Sequence, residues 1–205
     1  SDPSAWCKIL FEGLFANPMY YAEKGHILDK NGNEVTAVVL DDSVQTIPSY
    51  AFSDCTGLTS ITIPDSVTSI GSCAFENCSS LTNINIPNGV TTIGDFAFFR
   101  CGDLANISLP EGVTHIGESA FNRCGSLTNI SIPDSITSVG MDAFYDCNKL
   151  QTKVYEKAKY LGNSRNPYVY LLEYEYQEIG SCTIHPNARI IGEEAFWSCY
   201  NLTEI

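Results

Sequence analysis

A chain of 205 residues can bury one substantial core, and its 44% hydrophobic content is ordinary for a folded protein. A net charge of −13 repels phosphate backbones, which excludes the usual nucleic-acid partners. No apolar run approaches the roughly 18 residues of a membrane-spanning helix.

The opening stretch, SDPSAWCKILFEGLF, carries neither the basic segment nor the small-residue cleavage site of a signal peptide. The closing NLTEI stops in mid-repeat, so the sequence reads as part of a longer protein. Asp2 and Pro3 suit an N-cap and a first helical position, and Ala5, Trp6, Ile9 and Leu10 would share one helix face. A strand is the alternative, because Trp6-x-x-Ile9-x-Phe11 has the spacing of the strands that follow. HILDKNGNEVTAVVL predicts a hairpin turning at Asn31-Gly32, with Val35-x-x-Val38-x-Leu40 as its second arm. Residues 1–39 are therefore expected to form an N-terminal cap, helix plus hairpin, that covers an open strand edge.

From Leu40 the chain repeats itself. Copies begin at Leu40, Ile63, Ile86, Leu109 and Ile132, each 23 residues after the last, and a further copy begins at Ile184 after a 29-residue insertion. The shared pattern is apolar-Pro-x-x-Val-Thr-x-Ile-Gly-x-x-Ala-Phe-x-x-Cys-x-x-Leu-x-x-Ile-x. Such a period means stacked units that cannot bury their own apolar edges alone. Leu81-x-x-Ile84-x-Ile86 predicts a strand with those residues inward and Asn83 and Asn85 outward, ended by Pro87. Val67 and Ile70 should line the opposite wall. Pro48 replaces the repeat glycine in the first copy, so that position does not demand positive φ, and Pro48–Phe52 reads as a short helical turn. Phe52, Phe75, Phe98, Phe121, Phe144 and Phe196 should stack into a spine.

Six of the nine cysteines, Cys55, Cys78, Cys101, Cys124, Cys147 and Cys199, occupy one repeat position. Neither a disulfide framework nor a zinc site has that spacing. They are expected to be buried, unpaired thiols, as is Cys182, which falls where another copy has Ile61. Cys7 and Cys73 fit no such pattern.

The insertion, 153–178, alternates. Val154, Ala158, Tyr160, Tyr168, Tyr170, Leu172, Tyr174 and Tyr176 fall on one side, and Lys153, Lys157, Lys159, Glu173 and Glu175 on the other. Period two favours an antiparallel hairpin around GNSRNP, with the Lys and Glu rows pairing across it. A helix at 153–161 is the alternative. The tyrosines either pack against the repeats or bind sugar. Lys153 stands where Ile84 sits in its copy, so the regular strand must slip or stop there.

The pattern IP-x-x-V-T-x-I-G-x-x-A-F-x-x-C-x-x-L-T-x-I resembles the BspA-like leucine-rich repeat proteins. The non-repeat stretches AWCKILF, NPMYYA and YLGNSRNPYVYLL resemble modules that interrupt arrays in that family. The resemblance implies a secreted or cell-surface protein, some members being adhesins.

Together these readings give a leucine-rich repeat solenoid, α/β by convention but mostly β. It has one parallel strand per 23-residue repeat and short helical turns. Residues 1–39 are the cap, 40–152 five regular repeats, 153–178 an inserted hairpin and 179–205 a further, truncated repeat. His26, His115 and His185 lie far apart, and no metalloprotease, Walker or nucleophile-elbow motif occurs, so the chain reads as non-enzymatic, without cofactor or metal. The acids form no calcium loop. The expected role is binding at a cell surface, extracellular, by a monomer whose partner is a protein or glycan. A structural spacer, or an accessory module of a larger secreted enzyme, is the alternative. The candidate binding residues are two outward columns of the sheet, Ser60, Thr62, Asn83, Asn85, Asn106, Ser108, Asn129 and Ser131, which otherwise are simply solvated and support the stack. A rival patch is Phe99, Tyr145 and Trp197, between Phe and Cys of their copies, although the insertion separates Trp197 from the other two.

Overall fold

A computed structural model describes residues 27, 33–174, 181–197, 199–200 and 202–203. Two parallel sheets form the walls of a solenoid that climbs one turn every 23 residues. The first takes β1 (Ala37–Val39), β3 (Ser60–Thr62), β5 (Asn83–Ile84), β7 (Asn106–Ser108) and β9 (Asn129–Ser131), in that order. The second takes β2 (Thr46–Ile47), β4 (Ser69–Ile70), β6 (Thr92–Ile93), β8 (His115–Ile116) and β10 (Ser138–Val139). Register follows the repeat: Ser60 pairs with Asn83, Asn83 with Asn106 and Asn106 with Asn129. The expected cap lies mostly outside the described residues. Within them, the Val35 amide donates to the Ile27 carbonyl at 2.7 Å, and the second arm of the expected hairpin becomes β1, with Val38 and Leu40 buried.

The third side of each turn corrects one expectation. No described residue is helical, and Pro48–Phe52 is not a helical turn. Tyr50 has φ 64°, and its amide donates across to Ser72 O of the next turn rather than along its own backbone. The same left-handed position recurs at Cys73, Phe96, Ser119 and Asp142, and a second one at Asp54, Asn77, Arg100, Arg123 and Asp146. Each repeat thus makes a pair of tight bends that point Ala and Phe inward. A continuous helix would turn the amides at those positions away from the neighbouring repeat.

Phe52, Phe75, Phe98, Phe121 and Phe144 stack with ring centroids 5.2–5.7 Å apart and planes within 7°. The spine then changes residue. Phe144 meets Tyr170 at 5.9 Å, and Phe196 meets Tyr174 at 5.6 Å. Six consecutive phenylalanines were expected, and two tyrosines of the insertion stand between the last two.

The insertion holds two antiparallel connections. β11 (Lys153–Tyr155) turns at Glu156–Lys157 into β12 (Ala158–Leu161), and β12 pairs antiparallel with β13 (Tyr170–Tyr174) across GNSRNP. No helix forms at 153–161. The first sheet stops at β9, as Lys153 in an inward slot requires. Gln151 N still bonds Thr128 O, but Ile132 N donates to Gly162 O, and Leu161 fills the core beneath. Ala158, Tyr160, Tyr170 and Tyr174 are buried as alternation implies, but Val154, on the outermost strand, is exposed, and Tyr168 and Leu172 are half-buried. Leu161 and Leu171, off the expected side, are buried, because the register shifts between Lys159 and Tyr160. Glu175 and Tyr176 lie outside the described residues. Of the Lys and Glu rows, Lys159 and Glu173 pair at 3.0 Å.

β13 also starts an irregular turn. It runs parallel to β14 (Ile190–Ile191), with Leu171 opposite Ile191. Tyr174 N donates to Ala195 O at 2.7 Å, as Phe52 N does to Ala74 O at 2.8 Å, so Tyr174 fills the Phe slot. It does so three residues after Leu171, whereas Ile191 to Phe196 takes five. The core divides here: Ala158, Tyr160, Leu171, Tyr174, Cys182 and Ala195 form a cluster apart from the main one.

Candidate functional site

Alternation puts every second residue of the first sheet in solvent. Ser60, Thr62, Asn83, Asn85, Asn106, Ser108 and Asn129 are exposed, and Ser131 is half-buried. The parallel register aligns Ser60, Asn83, Asn106 and Asn129 into one of the two expected columns and sets Ser108 opposite Ser131 in the other. Five of the eight, Asn83, Asn106, Ser108, Asn129 and Ser131, line a shallow trough of about 580 Å³. Ser60, Thr62 and Asn85 share the face but lie outside it. No ionisable side chain lines the trough.

The far wall is Gly162, Asn163 and Ser164, which the sequence reading did not select. Asn163 ties the wall to the last regular repeat through bonds from its Nδ2 to Ile132 O at 3.0 Å and Asp134 Oδ1 at 3.2 Å. Its Oδ1 accepts the amides of Arg165 and Asn166, which closes the turn. Arg165 reaches back to Glu111 at 2.8 Å. Gly162 is required: a Cβ there would lie 2.1 Å from Asn166 O. The signal was present as GNSRNP, a turn-rich run after a strand, but not where the turn would land.

Part of the polar capacity of the columns is used internally. Asn129 Nδ2 donates to Asn106 Oδ1 at 3.2 Å, and Asn83 Nδ2 to Thr82 Oγ1 at 3.3 Å. Thr59, Thr82 and Thr128 each donate a hydroxyl to the carbonyl one turn earlier, and so do Thr68, Thr91, Thr114 and Thr137. Those two threonine ladders explain the recurring V-T and L-T of the repeat, for which the sequence reading had no role.

The rival aromatic patch does not form as one surface. Phe99 is half-buried, edge-on to Phe96 at 5.6 Å and beneath the Arg100 guanidinium at 5.0 Å. Tyr145 and Trp197, 59% and 75% exposed, instead line one groove together, so the insertion does not part them as expected.

The repeat thiols are unpaired, and all but the half-buried Cys199 are buried. Cys78, Cys101, Cys124 and Cys147 each donate to the Phe carbonyl one turn earlier, with Sγ to O distances of 3.0–3.2 Å. Burial pushes Cys55 and Cys147 up to about 12, and raises Cys78, Cys101 and Cys124 as well. Such thiols are poor nucleophiles at neutral pH. Cys73, half-buried in a left-handed bend, is pushed up to about 12 by burial and then by the Glu76 charge. Cys7 lies outside the described residues. Among the described residues no group of three or more His, Cys, Asp or Glu side chains could hold a metal ion. Among them, too, no helix is long and apolar enough to cross a membrane.

Comparison with known proteins adds the lineage. Six copies of the BspA type leucine rich repeat region match residues 30–151 and 171–205. A leucine-rich repeat protein from Bacteroides ovatus is 30% identical with a TM-score of 0.59, over 82% of this chain and 48% of its own. The T. pallidum leucine rich repeat protein is 26% identical with a TM-score of 0.60, over 86% of both chains. A leucine rich cell surface protein from Faecalibacterium prausnitzii is 29% identical with a TM-score of 0.50, over 84% of this chain and 60% of its own. The chain thus spans about half the Bacteroides ovatus protein. No curated protein matches it. The 23-residue period, the Phe and Cys ladders and the six matched copies place this chain in the BspA-type leucine-rich repeat family.

Proposed function

We propose that this chain is a non-catalytic binding module displayed at a cell surface or secreted, and that its ligand lies along the trough. The observation that carries the reading is an uncharged polar surface that repeats at one strand spacing and ends at a built wall. Spaced amides and hydroxyls suit a polymer, glycan or extended polypeptide, which repeats on a similar scale. The cell-surface description of the Faecalibacterium prausnitzii relative supports the location. The spacer reading draws on the Asn106–Asn129 bond, which serves the stack itself.

The test is an array of glycans and extracellular-matrix proteins, probed with wild type and with Asn83→Lys/Asn106→Lys/Asn129→Lys. Circular dichroism melts confirm that the variant folds. Loss of a wild-type ligand from the folded variant is the expected result. A ligand retained in full by the variant moves the site off this face.

A further inference from the structure

The groove holding Tyr145 and Trp197 exists because one turn is cut short. Both residues occupy the same repeat position, and their amides make equivalent bonds, Tyr145 N to Asp142 O at 3.0 Å and Trp197 N to Glu194 O at 2.9 Å. A regular turn between them would fill the space with its own bend. The actual turn reaches its aromatic slot at Tyr174 two residues early and leaves a cleft of about 400 Å³ between the flanking bends. Tyr145, Trp197 and the exposed Met141 give the cleft its apolar rim.

Its polar lining carries one sign of charge. Asp142, Asp146, Glu193 and Glu194 line it together with Glu173, which is paired to Lys159 outside the lining. No Lys, Arg or His is among the described residues that line it. The acids crowd one another: desolvation, the hydrogen bond with Asp142, and the charges of Asp142 and Glu193 push the Glu194 carboxyl upward. A cation entering the cleft relieves that crowding. Exposed aromatic faces beside carboxylates also suit the aliphatic stem and charged head of a long basic side chain.

We propose that this cleft docks an extended polypeptide segment through its Lys or Arg side chains. The aromatic rim holds the stems and the Asp142–Glu194 cluster holds the charged heads. The site is distinct from the trough, whose lining is uncharged and lies on the first sheet.

The test is fluorescence anisotropy with a fluorescein-labelled Arg-Ala repeat peptide and its Glu-Ala counterpart, at low and at physiological salt. Wild type should bind the first and not the second, more weakly as salt rises. Tyr145→Ser/Trp197→Ser and, separately, Glu193→Gln/Glu194→Gln should each weaken binding roughly tenfold. Asp65→Asn/Asp103→Asn removes the same charge elsewhere on the surface and should leave binding unchanged. Equal losses in both carboxylate-removing variants would mean diffuse attraction to an acidic protein and overturn the proposal. So would an aromatic variant that binds like wild type, or a wild type that ignores the Arg-Ala peptide at low salt.

Discussion

Gly71, Gly94, Gly117 and Gly140 stand where successive turns come closest. A Cβ on Gly94 would lie 2.6 Å from Gly71 C and Ser72 N, and one on Gly140 2.4 Å from Glu118 N. The constraint is approach between backbones, since none of these glycines has positive φ. Pro48 takes the equivalent place in the first copy, beneath which no regular copy lies. Gly94→Ala should therefore destabilise by about 1–3 kcal/mol, the usual cost of overpacking. Gly102→Ala, with nothing within 4 Å of its Cβ, should stay within about 0.5 kcal/mol of wild type in the same urea melts. The thiols make a pH prediction. Cys55 and Cys147 titrate near 12 when folded, against an ordinary 9.0. Their contribution is complete below pH 9, where both states are protonated. It is lost as the pH climbs toward 12, because the unfolded chain gives up its protons first. The melting temperature should fall over that window, and fall less steeply in Cys55→Ala/Cys147→Ala.

At the scale of elements, the phenylalanine stack is the strongest periodic feature. Phe98 lies between Phe75 at 5.2 Å and Phe121 at 5.3 Å. Phe98→Ala should cost about 3–5 kcal/mol. Phe52→Ala has one described stacking partner to lose, and the half-buried Phe196 has one tilted partner, so both should cost less in denaturant melts. Equal losses would contradict a nearest-neighbour ladder. This spine was legible because Ala-Phe and Cys recur at fixed spacing. Tyr174 was not, because its turn is two residues shorter and a fixed period counts past it. The sequence hides the bends for a related reason. Left-handed φ falls on Tyr50, Cys73, Phe96, Ser119 and Asp142, residues that share no side-chain chemistry and so leave no pattern.

Over the whole molecule, the columns of the trough were legible from period two combined with period 23. The wall at Asn163 was not, because it depends on where a long excursion returns. The same excursion divides the core, and that division should appear in unfolding. The main cluster runs from the first turn to Val169 and Tyr170, and the second holds Tyr174, Cys182 and Ala195. Hydrogen exchange under increasing denaturant should show amides of 171–174 and 181–197 opening at lower free energy than those of 60–147. One cooperative transition with equal protection in both regions would mean that the clusters unfold as one.

The threonine and cysteine bonds share a direction. Every such hydroxyl ladder bond, and the thiol bonds of Cys78, Cys101, Cys124 and Cys147, run from a later turn to a carbonyl of the turn before it. These side-chain ladders therefore have a grammar of donors that look backward and acceptors that wait, while the bend amides of Tyr50 and Phe52 donate forward. A nascent chain leaving the ribosome N-terminus first presents finished acceptors to each new turn. No threonine or cysteine donor in these ladders has to wait for a residue not yet made.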